Sequence, residues 1–288
     1  FTGKYVESQS GWTCFGIIVG LLGLLTAWTV AFGTKENESA LRSKAQKNGN
    51  PIEAFKAIFQ NDQLLWVALS YLLYAIANVA TTGVLIFLFK FILDNQAAYS
   101  LTGVIALVAG LVMAPLYPIL NKRIPRRYLY IGGMISMIAG YVMLGIFSDN
   151  IIMVFVALVL FYVPGTLIQM TAILSLTDSI EYGQLKNGKR NEAVTLSVRP
   201  MLDKIAGTCS NGIVGFIAVA AGMIGDATAA DMTAANIGMF KVCAFYVPLG
   251  IIVLSLLVFL FKVKITEKMH DEIVEELEAK LASGEISE

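Results

Sequence analysis

Residues 177–204, TDSIEYGQLKNGKRNEAVTLSVRPMLDK, join two long apolar runs and hold charges that neither run should tolerate. The first part reads as a charged loop: Asp178, Glu181 and Glu192 mix with Lys186, Lys189 and Arg190 around Gly183 and Gly188, residues that permit tight turns. The second part enters a run that stays apolar and Gly-rich to about Ile224, yet carries Arg199, Asp203 and Lys204. A charge at membrane depth costs roughly 2.5 to 3.5 kcal/mol on insertion scales, so a helix that keeps three is expected to use them. Pro200 leaves the Leu196 carbonyl without its helical donor, which predicts a bend.

The rest of the chain is a frame for this segment. Of its 288 residues 57% are hydrophobic and 15% charged, and the mean hydropathy is +0.71. That excess over what a soluble core needs makes this an all-α, multi-pass membrane protein in contact with lipid. The formal net charge is zero, so nothing argues for nucleic acid as a partner. Cys14, Cys209 and Cys243 fall within predicted spans and read as small packing residues. His270 is the single histidine, which excludes a His-rich metal centre; no metal and no bound cofactor is expected. The first residue is Phe1, and the chain reads as cut from something longer.

A span needs about 20 apolar residues. Seven stretches qualify: Gly11 to Phe32, Gln63 to Leu93, Tyr99 to Leu120, Tyr128 to Phe147, Ile151 to Leu176, Val194 to Ile224 and Asn236 to Phe261. A polar linker follows the first, and within it Pro51 is placed to open a short surface helix, PIEAFKAIFQ, with Ile52, Phe55, Ile58 and Phe59 on one side. Basic residues cluster in alternate loops: Lys35 to Lys56 in the linker, Lys122, Arg123, Arg126 and Arg127 after the third span, Lys186, Lys189 and Arg190 after the fifth. By the positive-inside rule that side is cytoplasmic, as is the tail after Phe261. In the tail Ile273, Val274, Leu277 and Leu281 form a narrow apolar stripe on an acidic helix capped by Gly284, which is expected to rest on the protein or lead into a linker.

Polar residues are unevenly spread over the spans, and spans two, five and six carry most of them. On span two Tyr71, Tyr74, Asn78 and Thr81 or Thr82 recur at three- and four-residue steps; on span five Tyr162, Thr166 and Gln169 do the same. Such groups can simply hydrogen-bond between helices, at about 0.6 kcal/mol each. Aromatic rings beside amides and hydroxyls also suit a sugar, which offers an apolar face and a rim of hydroxyls. On that reading Tyr74, Asn78 and Gln169 face the ligand. Spans one, four and seven are plain, as expected of the lipid-facing third helix in repeated three-helix units. In span six Arg199 and Asp203 are four apart and can pair, whereas Lys204 points elsewhere, near the midplane, with no acid at its depth in these spans.

The string from Asp178 to Lys204 resembles the loop and eleventh helix of the glycoside–pentoside–hexuronide:cation symporters, within the major facilitator superfamily. The likeness is nearest to the lactose and raffinose permeases of Gram-positive bacteria. Asp178, Glu181, Tyr182, Gly183, Arg190 and Glu192 meet that family's pattern of an acid, Tyr-Gly and Arg-x-Glu. Lys204 falls where the family places a lysine implicated in sugar binding and coupling. The resemblance implies residues 1–32 as the last helix of an N-terminal bundle, 33–62 as a cytoplasmic linker, 63–261 as a C-terminal six-helix bundle and 262–288 as a cytoplasmic tail. It implies cation-coupled or exchange transport of a galactoside across the cell membrane, with H+ or Na+ as co-transported ion. Lys204, Asp203, Arg199, Tyr74, Asn78 and Gln169 would serve substrate and coupling, and Asp178, Glu181, Tyr182, Arg190 and Glu192 a cytoplasmic gating loop. Implied partners are the N-terminal bundle, which lies outside this chain, and a phosphotransferase IIA-like domain or protein. A seven-helix receptor is the alternative; an enzyme lacks the nucleophile, base or ligand cluster it would need.

Overall fold

The computed structural model describes residues 9–33, 56, 59–188, 190 and 192–283. Among them the chain is helical throughout: α1 (Gln9–Gly33), α2 (Asp62–Ile92), α3 (Ser100–Asn121), α4 (Arg126–Ile146), α5 (Ile151–Asn187), α6 (Glu192–Ala220), α7 (Ala234–Lys262) and α8 (Glu267–Ala282). By internal contacts it divides into two units, Phe1–Pro51 and Ile52–Glu288. In the first unit α1 buries none of its residues, and Trp12, Phe15, Leu22 and Trp28 are all exposed. A helix apolar all round suits an apolar solvent. Of the expected linker helix only Lys56, Phe59 and Gln60 are described, and all three are helical; Pro51, Ile52, Phe55 and Ile58 lie outside the described residues, as does Gly284.

In the second unit α2 to α7 run alternately up and down, and α2 is the central post. It packs along α6 and α7, with α5 also against it, while α4 lies between α5 and α7 and α3 leans on α5. The faces of α2 have separate partners. Ser70 shares hydrogen bonds with the Tyr130 hydroxyl (2.9 Å) and the Ser255 hydroxyl (3.2 Å), and Ser255 donates back to the Ser70 carbonyl (2.7 Å). About three turns on, the Thr81 and Tyr141 hydroxyls lie 2.9 Å apart, and Tyr141 donates to the Ala77 carbonyl (3.0 Å). These two buried knots fasten α2, α4 and α7, and Phe161, Phe245, Leu85 and Met137 belong to the same buried core. Thr81, read from its spacing as part of a polar face, is helix glue. Both α2 and α7 contain one π-helical turn, Leu88–Ile92 and Val242–Tyr246.

Among the described residues six helices are long and apolar enough to cross a membrane: α1, α2, α3, α4, α5 and α7. The seventh expected span, α6, is long enough at 29 residues but is less apolar, with Arg199, Asp203 and Lys204 inside it. It is one helix through Pro200. Helix α5 also departs from expectation. It does not stop at Leu176 but runs 37 residues to Asn187, about 55 Å at 1.5 Å per residue, so it projects well past a hydrocarbon core about 30 Å thick. Asp178, Glu181, Tyr182 and Lys186 are therefore helical and not in a loop. The helix continues because its buried stripe does: Leu176, Ser179, Ile180 and Gly183 remain covered. Gly183 supplies close approach and not a turn, since a Cβ there would sit 2.6 Å from Asn61 Nδ2. Gly188 does turn the chain, at φ 69°.

The tail helix α8 packs against α5. Thr266 caps its first turn, accepting from the Met269 N–H (3.3 Å), and Ile273 and Leu277 are buried. Two such side chains contribute about 1.5 to 3 kcal/mol each.

Candidate functional site

Two polar clusters stand out against this apolar frame, one at the bundle's basic end and one well inside it. The inner cluster forms where α2 meets α5 and α6. The Tyr71 hydroxyl donates to Asp203 Oδ1 at 2.7 Å. The guanidinium of Arg199 lies 6.0 Å from the Tyr71 ring centre, with Nε 3.9 Å from Asp203 Oδ2. The expected Arg199–Asp203 pair thus forms, but loosely, and the buried Arg199 Nε has no hydrogen-bond partner. Tyr71 is what spacing alone missed: it shared a face with Tyr74, but nothing in the sequence said that its hydroxyl meets Asp203.

Tyr74, Asn78 and Gln169 do come together, though not as a row of ligand-facing groups. Tyr74 is buried at 1% exposure, with its ring 5.9 Å from that of Tyr71. Its hydroxyl donates to the Gly165 carbonyl (3.3 Å) and accepts from Asn78 Nδ2 (3.5 Å), and the Gln169 side chain lies beside it. In this conformation Tyr74 is therefore a packing residue that orders two half-buried amides. Gly165, which lets α5 approach the ring, is the reason. Asn78 and Gln169 keep part of their surface accessible.

Lys204 stands twelve residues past the start of α6, about 18 Å along its axis. It is exposed and has no ion-pair partner among the described residues, since neighbouring Asp203 is taken by Tyr71 and Arg199. A long exposed cation at this depth on the helix that also carries Arg199 and Asp203 is equipped to hold an uncharged polyol through hydrogen bonds, or to meet a carboxylate from another element.

The basic-end cluster is a chain of ion pairs. Arg126, at the start of α4, binds Asp178 of α5 through Nη2 (2.7 Å), and both its Nε (3.3 Å) and its backbone N–H (2.6 Å) reach Glu267 of α8. His270 Nε2 lies 3.9 Å from Asp178 and 3.6 Å from Glu181. Arg190 then joins Glu181 (3.1 Å), Glu192 (3.1 Å) and Gln184 (3.2 Å). Alongside, Tyr182 (3.0 Å) and Lys186 both donate to Asp62, and Asn61 Nδ2 donates to the Ser179 carbonyl (2.7 Å). Burial works against the charged form of Glu267, but the Arg126 and Glu267 backbone N–H groups and the Arg126 guanidinium outweigh it and hold the carboxyl below the usual glutamate range. The sequence pattern found Asp178, Glu181, Tyr182, Arg190 and Glu192 but not Arg126, Glu267 and His270, whose places follow from the return of α8 across the ends of α4 and α5.

A sequence model described as MFS/sugar transport protein matches residues 1–267. This chain belongs to that family. Similar proteins include the lactose permease of Leuconostoc lactis, 51% identical over 98% of this chain, and that of Lactobacillus helveticus, 46% identical over 99%. The raffinose carrier protein of Pediococcus pentosaceus is 37% identical over 93%. This MFS chain covers only 42 to 44% of these relatives' own lengths. The family match and the apolar helices together make this a chain of a multi-pass membrane protein.

Proposed function

We propose that this chain is part of a galactoside carrier that works by alternating access, in which a second six-helix bundle closes against α2 to α7 around the inner cluster. The observation that carries the reading is the match of nearly the whole chain to two lactose permeases and a raffinose carrier, together with a mid-depth cation that has no carboxylate of its own among the described residues. Asn78, Gln169 and the Tyr71–Asp203–Arg199 group line the sugar side, and Tyr74 holds the two amides in place. Lys204 meets a sugar hydroxyl or a cation-site acid of the other bundle. Transport is coupled to a proton or sodium ion or runs as sugar exchange, and sugar and cation bias the motion only through different affinities for its two states. The basic end is cytoplasmic, and Asp178, Glu181, Tyr182, Arg190 and Glu192 gate it. More than half of each relative's length lies outside the matched part, room for the N-terminal bundle and for a phosphotransferase IIA-like domain.

The test is uptake of labelled lactose into proteoliposomes holding the full-length gene product, under imposed proton or sodium gradients and with internal lactose for exchange. Galactoside entry in at least one arm is expected, and none from residues 1–288 alone. Full-length protein that neither accumulates nor exchanges any galactoside overturns the substrate, and accumulation by residues 1–288 alone overturns the two-bundle reading.

A further inference from the structure

Charge at the basic end is divided unevenly. Acids gather along α5 and α8, whereas Arg127, Lys262 and Lys264, where α2 and α4 start beside the end of α7, have no acidic partner among the described residues. Asp62 is taken by Lys186 and Tyr182, and Glu267 by Arg126. The backbone that carries the two lysines is fixed. The Gln63 side chain accepts from the Lys264 N–H (2.7 Å) and donates to the Lys262 carbonyl (3.4 Å), and Arg127 donates to the carbonyls of Leu260 (2.8 Å) and Val263 (3.4 Å). The Arg127 bonds answer the negative end of the α7 dipole, which would otherwise repel an anion. Both lysine side chains are exposed, and the Lys262 ammonium lies 5.0 Å from the ring centre of half-buried Trp66. Just before them on α7, Leu257 and Phe261 stand four residues apart on one face, and both are exposed.

We propose that the end of α7 is a headgroup site for one anionic phospholipid of the phosphatidylglycerol type. Lys262 and Lys264 hold its phosphate through charge-assisted hydrogen bonds, Arg127 supplies the third positive charge, Trp66 sits at the glycerol level, and Leu257 and Phe261 lie along an acyl chain. The last turn of a helix long and apolar enough to cross a membrane ends at the bilayer surface, where an amphipathic indole is at home. Three cations without acids favour a lipid of net negative charge over a zwitterion, which brings its own ammonium to the same place. The exposed apolar pair distinguishes a lipid from free phosphate, since a small anion gains nothing from it. The site is independent of which sugar is carried and of which side of the membrane the basic end faces.

The experiment is titration of the full-length protein in detergent with dioctanoyl phosphatidylglycerol and, separately, dioctanoyl phosphatidylcholine, with the bound lipid counted by native mass spectrometry. Wild type is expected to bind the anionic lipid about tenfold more tightly, the effect of two or so surface cations. The double variant Lys262→Gln, Lys264→Gln breaks none of the ion pairs described above and should bring the anionic lipid down to the level of phosphatidylcholine, whereas Lys262→Arg, Lys264→Arg should keep the preference. Lys122→Gln, Arg123→Gln removes the same charge at the end of α3, which leans on α5, and should leave the preference as it is. Equal affinity of wild type for the two lipids overturns the proposal, and so does an unchanged preference in the Lys262→Gln, Lys264→Gln variant. Displacement of the anionic lipid by millimolar inorganic phosphate also overturns it, since the site would then take a free anion. Because the readout is bound lipid and not uptake, failure of this site and failure of galactoside transport are told apart.

Discussion

The two polar clusters differ in how completely their charges are answered. At the basic end Arg126, Asp178, Glu181, Lys186, Arg190, Glu192 and Glu267 each have an opposite charge within 4 Å. Inside the bundle Arg199 and Asp203 sit at 3.9 Å with one guanidinium nitrogen unbonded, and Lys204 has no partner among the described residues. A completed network resists change and holds helix ends in register; an incomplete one retains bonding capacity for something that comes and goes. The difference supports the proposed division of labour, with shape and gating at the first cluster and recognition at the second.

The sharpest way to break this comparison is to remove Arg126. Arg126→Ala leaves Asp178, with only 12% of its side chain exposed, without its cation, and breaking such a pair costs about 3 to 5 kcal/mol. A large loss of thermal stability is expected in detergent, with sugar affinity of the surviving folded fraction near normal; unchanged melting would show the network to be ornamental. Lys204→Ala reverses the pattern, lowering sugar affinity or cation coupling by about tenfold or more with the melting temperature held. Glu192→Ala should leave equilibrium sugar binding within about twofold, the margin of one exposed pair, while altering uptake rate. If Glu192→Ala abolishes binding and Lys204→Ala binds and couples normally, the two clusters have exchanged roles.

Smaller effects test finer points. Tyr71→Phe removes the 2.7 Å donor to Asp203 and should weaken sugar affinity about fivefold, in line with roughly 1 kcal/mol for a hydrogen bond to a charged group after partial replacement by water. Titration with no change from wild type would confine Tyr71 to packing. Glu267 gives the smallest signal. Its carboxyl is held below the usual range when docked, so its contribution is present above the ordinary glutamate pKa and lost as pH falls through the lower, docked value. Amide hydrogen-exchange protection of α8 should therefore drop in strong acid, and Glu267→Gln should abolish that drop.

Much of the bundle was legible because burial in lipid leaves a plain record: a run of about 20 apolar residues is a helix, and span ends fell within a few residues for α1 to α4 and α7. The end of α5 was not, because its last turns are stabilised by partners from Asn61, Arg126 and His270, all distant in sequence, so composition there resembles a loop. The Arg199–Asp203 spacing was readable because both lie on one helix. Tyr71 against Asp203, 132 residues away, depends on the rotation of α2 against α6, which no local periodicity encodes. Tyr74 lies buried against Gly165 for the same reason: a polar stripe three and four residues apart divides between two neighbouring helices once a helix has partners on several sides.

The π-helical turns Leu88–Ile92 and Val242–Tyr246 have a consequence for how such a bundle can vary. Each accommodates one residue more than an α-turn requires, and one residue is worth about 100° of rotation in helix phase. In α2 the surplus lies beyond Tyr71, Tyr74 and Thr81, so the part of the helix carrying those side chains keeps its azimuth whatever happens to the count beyond it. A deletion in Leu88–Ile92 would be absorbed by restoring α-geometry, turning only the segment that leads into α3. The turn in α2 acts as a slip joint, uncoupling the angular setting of Tyr71, Tyr74 and Thr81 from the length of the loop beyond it.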